Sequence, residues 1–174
     1  MTTYCFIRED IMKKPILAFL VLLVSVAALT SASTTVLAAP ALKEEFEATM
    51  QYTGFTPPKR LWIDEEGVEH ARGFGETFSI SGGIVGTVGL TVNWNFVYSS
   101  PGYLASGDAQ AKGTITSGAD VYVISVDVTV ITGTVSGTFV IHGTGNCKGI
   151  YITGTLSSSA TGLVLEGTKL TTKP

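Results

Sequence analysis

The stretch IVGTVGLTVNWNFVY, residues 84–98, decides the fold. Val88, Leu90, Val92, Trp94, Phe96 and Tyr98 take alternate positions, with Thr87, Thr91, Asn93 and Asn95 between them. Successive side chains of a strand point to opposite faces, so this is a strand with one apolar and one polar face. It is long for a single strand, and Gly86 or Gly89 is the expected place for a bend or bulge.

The same reading extends outward. Phe46, Ala48, Met50 and Tyr52 alternate with Glu47, Thr49 and Gln51 until Gly54 and Pro57-Pro58 stop the pattern. A second strand starts at Arg60, and Asp64-Glu65-Glu66-Gly67 is a tight turn in which Gly67 supplies positive φ. Further strands are expected over 103–116, 121–131, 134–142, 150–156 and 163–170. One face of 103–116 is built of small residues, Ala105, Gly107, Ala109, Ala111 and Gly113, which would leave room for Trp94 and Phe96 across the interior. The fragments Gly133-Thr134, Gly154-Thr155 and Gly167-Thr168 read as repeated hairpin corners. β-branched residues and glycines leave no helix of useful length after the leader.

These strands predict an all-β fold, an antiparallel eight- or nine-stranded barrel following an N-terminal signal helix. A β-sandwich is the alternative. Glycine spread through the strands favours the barrel, whose strands must bend sharply to close.

Composition excludes other classes. Of 174 residues only 14% are charged and 45% are hydrophobic, so neither a disordered acidic tail nor a coiled coil fits. With 11 Lys+Arg against 14 Asp+Glu the net charge is −3, which leaves no basic footprint for nucleic acid.

The first 38 residues read as an export signal. Lys13-Lys14 precedes an apolar run, residues 16–29, interrupted only by Ser25. As a helix this run spans about 21 Å, short of the roughly 30 Å hydrocarbon core. A basic start, a short apolar centre and a small-residue exit are the parts of a secretory signal. Cleavage is placed after Ala38. Met12 reads as the start, because the preceding segment carries the acidic Glu9 and Asp10 beside Arg8, and acidic residues do not suit a signal's basic region. The chain therefore divides into a signal (1–38), a linker (39–44) and a barrel domain (45–174). The protein is read as secreted or extracytoplasmic. The alternative is a retained helix that tethers it to a membrane, and a membrane contact is expected only in that case. Loss of Cys5 with the leader leaves Cys147 without a disulfide partner.

GTVSGTFVIHGTGNCKGIYITGTL (residues 133–156) resembles the second half of small barrels of the allene oxide cyclase and dirigent type. WIDEEGVEHARGFG (residues 62–75), with Leu165-Glu166-Gly167-Thr168, is similar to uncharacterised exported proteins bearing a Gly…His-x-Arg-Gly segment. The likeness rests mainly on structural glycines. It implies an eight-stranded barrel with a central cavity, and it carries over no active-site residue.

Candidate chemistry concentrates in residues 68–80. Unbroken alternation puts Val68, His70, Arg72, Phe74, Glu76, Phe78 and Ile80 on one face, expected to be the inner one. Buried His, Arg and Glu need partners, so His70, Arg72 and Glu76 would form either an internal network or a ligand site. In the ligand reading Arg72 grips a carboxylate, with Trp94 and Tyr98 lining the apolar remainder. In the structural reading a bulge at Gly73 or Gly75 shifts the parity and leaves His70 and Arg72 at the barrel rim. Glu69 belongs to the opposite face in the unbroken pattern.

His142 reads as a surface histidine and Cys147 as an incidental turn cysteine. No metal site, cofactor or catalytic set is read from the sequence. The function that fits is an exported, non-enzymatic barrel binding a small, partly apolar ligand or a surface partner. The alternatives are a cyclase or isomerase working in the barrel cavity and a small outer-membrane-type barrel. The sequence sets no oligomeric state.

Overall fold

A computed structural model describes residues 41–100 and 103–172. The export signal, the start at Met12 and the turn residues Pro101-Gly102 lie outside the described residues. The described chain forms nine strands: β1 (Leu42–Thr56), β2 (Arg60–Ile63), β3 (Val68–Gly82), β4 (Gly86–Ser100), β5 (Tyr103–Ser117), β6 (Asp120–Ile131), β7 (Thr134–Thr144), β8 (Ile150–Ser159) and β9 (Gly162–Thr171). Neighbouring strands are antiparallel, and β1 pairs with both β9 and β3. That double pairing closes eight strands into a barrel and leaves β2 as a short extra strand on β3. The sandwich alternative is thereby set aside. β1 begins at Leu42 rather than after residue 44, because Leu42, Lys43 and Glu44 pair with Thr171, Leu170 and Lys169.

β1 and β2 are two parts of one ribbon. β1 covers residues 75–82 of β3 and β2 covers residues 69–72, while the Lys59 N–H donates to the Arg72 carbonyl (2.9 Å) between them. Pro57 and Pro58 have no N–H to give, so the ladder breaks there.

The inward side chains of all eight barrel strands merge into one apolar core. Phe46 and Met50, Phe78 and Ile80, Val88 and Leu90, Ile115, Ile124 and Val126, Phe139 and Ile141, Ile152, Leu156 and Leu165 are all buried in it. Among the described residues no polar or charged residue is fully buried. Gly107, Gly113, Gly137, Gly154 and Gly167 share the inward parity. A Cβ on any of them would run into a carbonyl of the adjoining strand. Strong coiling draws neighbouring backbones across these positions, and only glycine leaves space.

Three local expectations need correction. Gly154 and Gly167 face each other in mid-strand and are not corners. Only Gly133-Thr134 adjoins a hairpin turn, where Thr132 (φ 51°) and Gly133 (φ 75°) make a two-residue connection of the primed type. The register of β4 runs unbroken through Gly86 and Gly89, and its irregularities lie at residues 97–100. The small residues of β5 sit beside the large ones of β4: Ala109 pairs with Trp94 and Gly107 with Phe96. A Cβ on Gly107 would strike the Phe96 ring, which lies over the adjacent strand.

The barrel has unlike ends. At one, Phe46, Ile84, Tyr122 and Cys147 are buried, and a single 3-10 turn (Gly145–Cys147) brings in the cysteine. The Cys147 thiol donates to the Tyr122 hydroxyl (3.2 Å). Burial and that thiol push the Tyr122 hydroxyl up to about 12. Leu42 and Thr171 pair at this end, so both ends of the described barrel chain lie there. At the other end the wall is uneven. β1 continues through residues 51–56 after its last β9 partner, Met50, and β2, β3 and β4 rise with it.

Candidate functional site

The open end is organised by a bulge. β3 pairs with β4 residue for residue from Ile80 to Phe74, slips at Arg72-Gly73, and resumes with Ala71 opposite Trp94. Gly73 takes φ 70°, a left-handed conformation that suits glycine, and its N–H donates to the Asn93 side-chain oxygen (2.9 Å). One extra residue reverses the parity. Below the slip Phe74, Glu76, Phe78 and Ile80 face in; above it Glu69 and Ala71 do.

His70 and Arg72 therefore stand on the outer face, contrary to the unbroken alternation. There β2 and its turn cover them in part. Asp64 starts the turn, its carboxylate accepting from the Val68 N–H (2.8 Å). His70 Nε2–H donates to Asp64 Oδ2 (2.7 Å), and its Nδ1 lies 2.7 Å from Asn95 Oδ1. Arg72 Nη2 donates to the same Asn95 oxygen (2.8 Å), and Nη1 donates to the carbonyls of Ala71 (2.8 Å) and Trp94 (2.7 Å). Trp62 stacks on the His70 ring (4.8 Å, 17°) and carries the Arg72 guanidinium 5.3 Å from its ring centroid.

Because both ring nitrogens of His70 face acceptors, the doubly protonated ring fits the site. The hydrogen bond to Asp64, then that to Asn95, raises the histidine's pKa, while the bond from His70 holds Asp64 below the usual carboxylate range. The hydrogen bonds of this cluster all run within the protein. It is a clamp that fastens β2 to β3 and β4.

The inner face of the same wall is different. Phe55, Phe74, Trp94 and Phe96 form a run of rings: Phe55 stacks on Phe74 (5.7 Å, 24°), Phe74 meets Trp94 edge-on (4.6 Å, 70°), and Trp94 stacks on Phe96 (5.3 Å, 9°). Tyr52 meets Phe78 edge-on (5.7 Å, 81°) at the foot of this run. Glu69 Oε1 accepts from the Trp94 indole N–H (3.3 Å) and the Tyr98 hydroxyl (3.2 Å). Phe55 is 63% exposed and Tyr52 53%, so the rings are accessible where the β9 side of the wall stops short.

Glu76 lies where this run of rings meets the core. Its Cα partners are Phe55 and Leu90, and Phe74 and Phe78 flank it on the same face of β3. Among the described residues it makes no hydrogen bond or ion pair. Burial raises the pKa of its carboxyl; desolvation, and then the Glu76 charge, raise that of Tyr52.

Of the five candidate residues, Glu76, Trp94 and Tyr98 thus meet at the inner face of the open end, while His70 and Arg72 sit behind the wall. Glu69, Phe55, Phe74 and Phe96 join the inner set unforeseen. A one-residue shift at Gly73 is the signal that would have found Glu69. His142 is exposed and packs against Tyr151 (4.7 Å). Cys147 sits in a turn, as expected, and is buried there. Among the described residues no three His, Cys, Asp or Glu side chains gather as metal ligands. No protein-family model matches the chain, and no curated protein is significantly similar to it in sequence.

Proposed function

We propose that the protein is an exported, non-enzymatic barrel that binds the apolar part of a small ligand in its open end. One observation carries the reading: an accessible run of aromatic rings, Phe55–Phe74–Trp94–Phe96, lines that end above an otherwise filled interior. Exposed apolar surface that is contiguous and concave has a use more often than scattered exposed residues do. Export rests on the basic, apolar and small-residue segments of residues 13–38.

A cyclase or isomerase draws less support. Of the three polar residues proposed for a cavity only Glu76 faces inward, and among the described residues it makes no hydrogen bond to a second acid or base. The likeness of residues 133–156 to allene oxide cyclase and dirigent barrels is kept as a reading of glycine placement and lends no activity. An outer-membrane barrel needs an apolar outer belt. Here Asp108, Gln110, Lys112, Asp127, His142 and Glu166 occupy the outward parity, which favours a barrel surrounded by water.

The test is titration of the full-length protein with the neutral apolar dye Nile red. Saturable binding that weakens at least tenfold in Phe74→Ala and is unchanged in Tyr151→Ala, on the outer face, supports the reading. Absence of saturable binding, or equal loss in both variants, overturns it.

A further inference from the structure

The sign of the open end narrows the ligand. Inward positions there are occupied by Tyr52, Phe55, Phe74, Trp94, Phe96 and Tyr98, with two carboxylates, Glu69 and Glu76. Among the described residues no Lys, Arg or His within the strands shares that parity at this end; Lys59, in the connection between β1 and β2, lies with its side chain against Gly73. The Arg72 guanidinium is turned outward and donates to two carbonyls and Asn95, and Arg60, its Cα partner on β2, shares that outward parity. A ligand carboxylate would therefore meet like charge and find no cationic donor.

Glu69 and Glu76 differ in what they still lack. Glu69 receives an indole N–H and a phenol O–H. Glu76 receives nothing, although Phe74, Phe78, Phe55 and Leu90 surround it. A carboxylate with apolar neighbours and no counter-charge is costly, and a cation placed beside it removes that cost. Aromatic faces attract the same kind of ion, because the ring quadrupole is negative over the face. Both features of the open end therefore select positive charge, and its run of rings selects an apolar body.

We propose that the ligand is an organic cation: an ammonium group carried on an aromatic or aliphatic body, its charge set against Glu76 and its body against Phe55, Phe74 and Trp94. The inference rests on the open end being a ligand site. It goes beyond that reading by fixing the ligand's charge.

The test uses three probes of similar size on the full-length protein: benzyltrimethylammonium, its uncharged isostere neopentylbenzene, and the anion phenylacetate. Each is scored by displacement of Nile red and by quenching of tryptophan fluorescence. The expected order puts the cation at least tenfold ahead of the isostere, with the anion weakest. Glu76→Gln should erase the cation's advantage and leave the isostere's affinity unchanged; Phe55→Ala, at an exposed ring, should weaken both. If Nile red binds but the isostere or the anion matches the cation, or the advantage survives Glu76→Gln, the charge inference falls and the apolar site stands. If no probe and no dye binds, both fall together.

Discussion

The two ends of the barrel are made from the same strands and solve the same problem differently. At the closed end the inward side chains are capped: Phe46, Ile84 and Tyr122 are buried, Cys147 is folded over them, and its thiol is hydrogen-bonded. Of the charges that share the inward parity there, Glu44 and Lys169 are Cα partners and pair at 3.1 Å, while Asp120, at the start of β6, stays partly exposed beside Tyr122. At the open end the rings continue past the core, and among the described residues nothing caps them and Glu76 has no counter-charge. A protein that needed only to fold would finish both ends alike. The contrast teaches that the closed end is built for stability, whereas the open end retains exposed rings and an uncompensated carboxyl that stability alone does not call for.

The largest expected effect separates the core from the open end. Phe139, 1% exposed and 6.0 Å from Phe46, is part of the filled interior. Phe139→Ala should lose about 3–5 kcal/mol in urea unfolding. Phe55→Ala, although it also removes an aromatic ring, should lose less than about 0.5 kcal/mol, because that ring stays largely in water. Equal losses would mean that the open end is packed as tightly as the core and the contrast is false.

Next in size is the bulge on which the open end depends. At φ 70° an added Cβ is strained, and at Gly73 it would also press on the Lys59 side chain at 3.0 Å. Gly73→Ala should destabilise by about 1–2 kcal/mol in the same assay. A neutral result would show that β3 tolerates regular pairing there, and the inward placement of Glu69 would be lost.

A smaller effect, of opposite sign, is expected at Glu76. A carboxyl whose pKa is raised by burial disfavours the folded state once it ionises, so stability falls as pH rises through the raised value. Glu76→Gln should therefore raise Tm by about 1–3 °C near pH 7 and lose that gain at about pH 4. A lower Tm near pH 7 would mean that Glu76 has a partner and the open end is not left uncompensated.

The smallest is a pH dependence of the outer clamp. His70 is raised above its ordinary 6.5, so its contribution is full below that value and is lost as pH rises through the raised one. Asp64 is lowered from its ordinary 3.8, so its contribution is full above that value and is lost as pH falls through the lowered one. The clamp is complete between the two ordinary values. Thermal midpoints should fall more steeply from about pH 5.5 to 8 in the parent than in His70→Leu, since that interval is where a histidine changes charge. A parent profile that rises over that interval relative to the variant contradicts the clamp.

What is legible in the sequence is the part set by alternation and turn chemistry. The Val88-to-Tyr98 pattern, the Asp64–Gly67 turn and the number of strands follow from period two and from glycine, and each has its place in the barrel. The bulge is legible only as an option. Gly73 and Gly75 are equal candidates, and nothing local to the sequence says that the Asn93 side chain accepts the freed N–H of Gly73. That single choice decides whether His70 or Glu69 faces in, which is why alternation has Arg72 gripping a carboxylate while the structure puts it behind the wall. Cross-strand neighbours are illegible for a similar reason: the pairing of Gly107 with Phe96 depends on register, which the alternation of one strand does not contain.

The chain's two tryptophans lie on opposite sides of this wall, Trp62 outside against His70 and Trp94 inside against Glu69. Their indole N–H resonances, followed by nitrogen–proton correlation spectra while Nile red is added to the full-length protein, report directly on which face is occupied. The account predicts that the Trp94 signal shifts saturably while that of Trp62 holds still. A shift confined to Trp62, or none in either, would contradict it.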